Sequence, residues 1–214
     1  MMTNRREGLS ADYLSMPQVE SGVAVGLFGG SFNPPHEGHL LIARDALRAL
    51  KLDQLWWMVT PGNPLKDHSG LAPLSERLRL SEELVDDPRI KVTAFEAAHA
   101  IRYSADTVEL VLSKNPDADF VWVMGADSLS TFHKWERWED IVGAVPIAVY
   151  DRPGSSLSLH ASVMAQKFPA ARVDEAEAAL LARMQPPAWT FIHGPRSPLS
   201  STALRKAAKQ DDKN

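Results

Sequence analysis

From residue 23 onward, short apolar runs alternate with longer segments whose apolar residues return every three or four positions. That alternation is the pattern of parallel strands joined by crossover helices. Val23 to Gly29 contains no charged or hydroxyl side chain, as expected of a strand covered on both faces. Gly38 to Leu50 then places Leu40, Leu41, Ile42, Ala43, Ala46, Leu47 and Leu50 largely on one helical face. A second strand is expected near Leu55 to Thr60, a helix over Leu74 to Val85 and a third strand over Ile90 to Ala94. A helix near Asp106 to Ser113 leads into Asp119 to Gly125, where PDAD supplies the turn and FVWVMG the buried run. Pro146 to Tyr150 and Trp189 to His193 complete the strand segments, and Trp56, Trp57, Trp122 and Trp189 fall inside strands as core residues. Residues 151–188, with RPGSS, a helical stretch near His160 to Gln166 and an Ala/Glu-rich stretch, show the least pattern.

The expected fold is α/β: a Rossmann-like, doubly wound, mainly parallel sheet of about six strands with helices on both faces. In such a sheet a ligand sits at the carboxyl ends of the first and fourth strands, where the strand order reverses. The 214 residues suit one domain of ordinary size, assigned here to 23–208, with a flexible N-terminal tail over 1–22 and a polar C-terminal tail over 209–214. Apolar residues at 44% and charged ones at 23% exclude disorder of the whole chain. A net charge of −4 argues against a general grip on nucleic acid or on an anionic membrane, so an anionic ligand must be held by a local cluster. No apolar window reaches the roughly 18 residues of a membrane span, and residues 1–22 lack the apolar core of a secretory signal. A cytoplasmic protein is expected, with a homo-oligomer left open. The absence of cysteine removes disulfides, thiolate catalysis, iron–sulfur clusters and thiolate zinc sites together.

The densest chemistry is GGSFNPPHEGH at 29–39, directly between the first strand and its helix. Gly29 and Gly30 would let backbone approach a phosphate, and Gly38 and His39 lie where the helix exposes its first N–H groups. The string is neither G-x-G-x-x-G nor a Walker loop, so the cationic or hydrogen-bonding groups of this anion site would be His36 and His39. Two blander readings compete: histidines that merely cap the turn, and a zinc pair, for which the H-x-x-H spacing is unusual and no thiolate is available.

The string GGSFNPPHEGH resembles the G-G-[ST]-F-[DN]-P-x-H-x-G-H signature of the nucleotidyltransferase superfamily. PGNPLK at 61–66, IRYSADT at 101–107, MGADSLSTFHKW at 124–135 and SSTALR at 200–205 are further similar to segments of the branch that adenylylates nicotinate mononucleotide. The resemblance spans about residues 23 to 208. It implies that ATP and nicotinate mononucleotide are the substrates, with Mg2+ carried through the ATP phosphates and water and no protein metal ligand assigned. The rival enzyme would use another acceptor, nicotinamide mononucleotide or phosphopantetheine; the rival class is a nucleotide-binding protein without turnover.

Such a transfer needs positioning and charge stabilisation more than a protein base, because the attacking phosphate oxygen is already anionic. By the resemblance, His36, His39, Lys66 and Arg205 are the catalytic set. ATP would meet Gly29, Gly30, Ser31, Phe32, His36, His39, Gly125, Asp127, Ser201, Thr202 and Arg205. The mononucleotide would meet Asn33, Lys66, Tyr103, Ser104, Asp106, Thr107 and Trp135, the indole stacking on the pyridine ring and Asp106 turning back on its own helix N-terminus. Leu65 stands where the family often has histidine before the lysine, so that histidine's contribution is absent or replaced. Taken singly, SSTALR also fits a capped helix with a solvated arginine, Lys66 a surface lysine, Asp127 a turn former and Trp135 a core aromatic.

Overall fold

A computed structural model describes residues 9–62, 70–151, 162–194, 199 and 201–205. Six strands form one sheet: β1 (Ala24–Gly30), β2 (Gln54–Val59), β3 (Ile90–Thr93), β4 (Asp119–Gly125), β5 (Ile147–Tyr150) and β6 (Trp189–Ile192). Their order is β3-β2-β1-β4-β5-β6, and every pairing is parallel. β1 and β4 lie side by side while their successors run outward in opposite directions, which opens a crevice at their carboxyl ends.

The helices are α1 (Ala11–Leu14), α2 (Glu37–Ala49), α3 (Leu74–Leu84), α4 (Phe95–Ala98), α5 (Ser104–Lys114), α6 (Ala126–Phe132), α7 (Trp138–Ala144) and α8 (Val163–Lys167). The Ala/Glu-rich stretch forms a 3-10 helix over Glu175–Arg183. His160 and its neighbours lie outside the described residues.

Side chains alternate across the sheet, so each strand feeds two core layers. Ala24 and Phe28 enter one layer, with α2 and the 3-10 helix, while Val25 and Leu27 enter the other, with α5, α6 and α7. The consecutive Trp57 and Trp56 are divided in the same way, one to each layer and both fully buried. The two apolar faces explain why the strands read as unbroken apolar runs.

Residues 9–22 depart from the mobile tail expected of them. Leu9 and Tyr13 pack on one core layer, Met16 and Val19 on the other. The Ala94 N–H donates to the Tyr13 carbonyl at 2.7 Å, and the Thr93 hydroxyl reaches the carbonyls of Tyr13 and Ser15 at 3.2 and 3.3 Å. The segment thus leans on the end of β3, an edge strand that gains cover from it. Its four apolar anchors are spaced by four, three and three residues, a helical interval, yet they divide between the two core layers and only Ala11–Leu14 of the segment is helical, which is why hydrophobic patterning misreads them.

Candidate active site

At the end of β1 the chain turns through Phe32, whose φ of 43° lies in the left-handed region. The Phe32 ring is buried, stacked on Trp57 with centroids 4.3 Å apart and edge-on to Phe28 at 5.5 Å. A Cβ on Gly30 would stand 2.9 Å from Phe32 Cζ. Glycine at 30 therefore makes room for the folded-back ring. Phe32, expected to meet ATP, uses its side chain as the wedge that shapes the loop.

The loop ends at His36, the N-cap of α2. His36 Nδ1 accepts from the Gly38 N–H at 3.1 Å, and the His36 N–H donates to His39 Nδ1 at 3.3 Å. An Nδ1 that accepts leaves the ring proton on Nε2, so this reciprocal cap makes each imidazole an Nε2–H donor. The rings stack with centroids 3.7 Å apart. Capping and anion binding are thus compatible, because the cap uses one nitrogen of each ring. Among the described residues no group of three His, Cys, Asp or Glu side chains is arranged to hold a metal ion.

The C-terminal signature docks on this loop. Ser201 Oγ donates to the Pro34 carbonyl at 2.9 Å, and the Arg205 guanidinium bonds the Asn33 carbonyl and lies 3.3 Å from Thr202 Oγ1. Residues separated by more than 160 positions are so brought to one corner beside the histidine loop. The Asn33 side chain is committed elsewhere: it donates to the Gly70 carbonyl at 2.8 Å and accepts from the Ala72 N–H at 3.2 Å. Lys66 and Leu65 lie outside the described residues.

Arg77, which the sequence reading passed over, ties the rim together. It is 1% exposed and donates to the carbonyls of Ala72, Ser31 and Thr60 at 3.0, 2.7 and 2.8 Å, joining the ends of β1 and β2 to the segment before α3. A signal was present. Positions 74, 77, 78 and 81 share one helical face, and an arginine between Leu74 and Leu78 on a buried face needs partners.

A cavity of about 270 Å3 opens at the carboxyl ends of β1 and β4. It is lined by Gly29, Gly30 and Ser31, by Thr60 to Gly62, by Tyr103 and Ser104, and by Trp122 and Trp135, the Trp122 ring lying against Gly29. Trp135 is half-buried, edge-on to Trp122 at 6.2 Å and to Phe132 at 5.2 Å, so it is anchored in the core while facing the cavity. Trp122 has both roles too, beyond the core role expected of it.

Several expected contacts are elsewhere. Asp106 does not return to its helix N-terminus; its carboxylate pairs with the Arg137 guanidinium, which also lies 3.4 Å from Glu109 and 3.7 Å from Asp140. The cluster of acids across α5 and α7 captures the arginine, and Asp106 stays out of the cavity wall. Thr107 is fully buried and donates to Glu96 at 2.6 Å. Gly125 is the buried N-cap of α6 and Asp127 is exposed on its first turn; Ser128 is the residue of that turn that reaches the cavity. Glu96, a cavity-wall residue that sequence reading missed, has its carboxyl raised to about 7 by burial, against the pull of the Thr107 hydrogen bond. Its only signal was a single acid in the apolar run AFEAA.

A parallel sheet with a crevice at its switch point, a capped histidine pair and an arginine-bearing turn beside it define a nucleotide-handling fold, and the chain belongs to the cytidylyltransferase-like family, whose profile matches residues 27–207. Within that family, it is 66% identical to a relative from Mesorhizobium japonicum named "Probable nicotinate-nucleotide adenylyltransferase", over 91% of this chain and 100% of the relative. A relative of the same name from Brucella abortus is 68% identical over 86% of this chain and 95% of its own. Among solved structures, the Plasmodium falciparum nicotinic acid mononucleotide adenylyltransferase complexed with NaAD shares the fold, with a TM-score of 0.63, 16% identity and coverage of 86% and 83% of the two chains.

Proposed function

We propose that this chain transfers the adenylyl group of ATP to nicotinate mononucleotide, releasing pyrophosphate and forming nicotinate adenine dinucleotide. The observation that carries the reading is the docking of the 201–205 turn onto the histidine loop beside a cavity with an aromatic wall. Relatives named for this activity at 66–68% identity support it.

In this reading the 5′-phosphate oxygen of the mononucleotide attacks the α-phosphorus of ATP, and the bond from that phosphorus to the β-phosphate bridging oxygen breaks. His36 and His39 donate from Nε2 to the α-phosphoryl oxygens as charge builds there. Arg205, Ser201 and Thr202 meet the β and γ phosphates; Lys66 would approach from the opposite side. Gly29, Gly30 and Ser31 offer backbone to the nucleotide. No side chain caps α5, which leaves the amides at Ser104 for the acceptor, while the Trp135 ring stacks on pyridine. Asn33 shapes the loop and Thr107 holds Glu96, each one step removed from the substrates.

The donor-rich corner suits a polyphosphate that arrives with its own cation, and Mg2+ bound by the phosphates and water would neutralise the departing pyrophosphate. Chelation is expected to abolish turnover, and Mg2+ to restore it. The substrates are soluble nucleotides, and no described helix is long and apolar enough to cross a membrane, so the cytoplasm is the compartment this reading implies.

The test is pyrophosphate release from ATP or CTP with nicotinate mononucleotide, nicotinamide mononucleotide or phosphopantetheine. Fastest turnover with ATP and the acid mononucleotide is expected. Preference for another pair overturns the assignment, and binding without release would make the chain a nucleotide-binding protein.

A further inference from the structure

We propose that Glu96 sets the choice between a pyridine carboxylate and a pyridine carboxamide in the cavity through the charge on its own carboxyl group. The proposal rests on the reading above, in which the pyridine ring occupies this cavity. Glu96 is 5% exposed yet lines the same cavity as Gly29–Gly30 and Tyr103–Ser104. The Thr107 hydroxyl donates to Glu96 Oε1 at 2.6 Å, which orients the carboxyl and leaves Oε2 to take or give up the proton. Ile101, a further wall residue, donates its N–H to the Glu96 carbonyl at 3.0 Å, so the backbone of Glu96 is tied to the loop that carries Tyr103.

Two carboxylates cannot share a small buried site with both ionised. With Oε2 protonated, Glu96 is a neutral donor that tolerates the substrate carboxylate and can hydrogen-bond to it. With Oε2 ionised, it repels that carboxylate and becomes an acceptor for the carboxamide NH2. Burial is what raises this carboxyl to about 7, so both forms exist near neutrality. The charged groups lining the same cavity, Arg102, Lys134 and Glu136, are exposed to solvent, where their fields are screened. On the elements packed around Glu96, α1 carries Asp12 and Tyr13, His99 caps the end of α4, and α5 carries Lys114 in its last turn and Asp106 and Glu109, both engaged with Arg137. A group with a raised folded-state value keeps its proton below about pH 7 and loses it above, so acid preference is strongest on the low side.

The experiment measures kcat/KM for nicotinate and nicotinamide mononucleotide from about pH 6 to 8, in the wild type and in Glu96→Gln, which keeps the size and cannot ionise. Titration of the shared 5′-phosphate and of ATP cancels in the acid-to-amide ratio. The wild-type ratio is expected to fall by roughly tenfold to a hundredfold across that range, the upper figure if the amide gains from the ionised form as the acid loses, and the Glu96→Gln ratio to stay flat. The same slope in both proteins overturns the proposal. A second reading needs no variant: calorimetric binding of each mononucleotide to the wild type in two buffers of different ionisation heat. Above pH 7 the acid should take up more protons than the amide, by a sizeable fraction of one; equal uptake overturns the proposal. If the wild type turns over with either mononucleotide and the ratio is pH-independent, Glu96 alone is misassigned. If it consumes and binds neither, the functional reading falls and takes this inference with it.

Discussion

The two halves of the crevice are built differently. On the side where the proposed function puts the phosphates, one continuous loop and a docked helical turn hold their donors in place, His36 to Gly38 and His39 to His36 within the loop and Arg205 to Asn33 across 172 positions. On the proposed acceptor side, the cavity is lined beyond Gly29–Ser31 by four separate segments, around Thr60, Glu96–Ser104, Trp122 and Ser128–Glu136, none of which shapes it alone. Anion binding can be delegated to a short motif because backbone N–H groups and a helix start supply most of it. Discrimination between two flat rings cannot, because it needs surfaces on several sides and a buried polar group whose charge matters.

The comparison predicts a separation of kinetic effects. The largest belongs to His39→Ala, expected to lower kcat by roughly 10²-fold or more, the scale for one lost transition-state donor, with thermal unfolding little changed. Near-wild-type turnover in that folded variant would reduce the histidine pair to a cap. Next is Arg205→Ala, which should raise the KM for ATP by roughly tenfold to a hundredfold, the scale of a lost hydrogen bond to a charged group, and leave the mononucleotide KM nearly unchanged. Trp135→Ala should do the reverse, raising the mononucleotide KM by about tenfold while ATP is almost unaffected. If both variants moved both constants together, the two halves would be one coupled site. The smallest effect is expected for Arg137→Ala. Its partners Asp106, Glu109 and Asp140 are at least two-fifths exposed, and a screened surface cluster should shift the unfolding midpoint by no more than about 2 °C. A marked change in mononucleotide KM there would return Asp106 to the acceptor site.

Chain order alone determined the sheet and the histidine loop, whereas the docking of residues 201–205 onto that loop is a tertiary event. Strands buried on both faces have no polar alternation to blur them, so all six were legible, and Asp119–Gly125 agrees with its expected bounds at both ends. The histidine loop was legible because its capping and its donors lie within eleven residues of sequence, at 29–39. Tertiary structure alone decided what depends on neighbours distant in sequence. Arg77 gains its meaning from the carbonyls of Ser31, Thr60 and Ala72, and Asp106 went to an arginine 31 residues away rather than to its own helix. Leu9, Tyr13, Met16 and Val19 became anchors only once both core layers existed to receive them. Glu96 is the sharpest case, because one acid in a five-residue apolar run carries no period, and its chemistry arises from burial, a fact of the folded state.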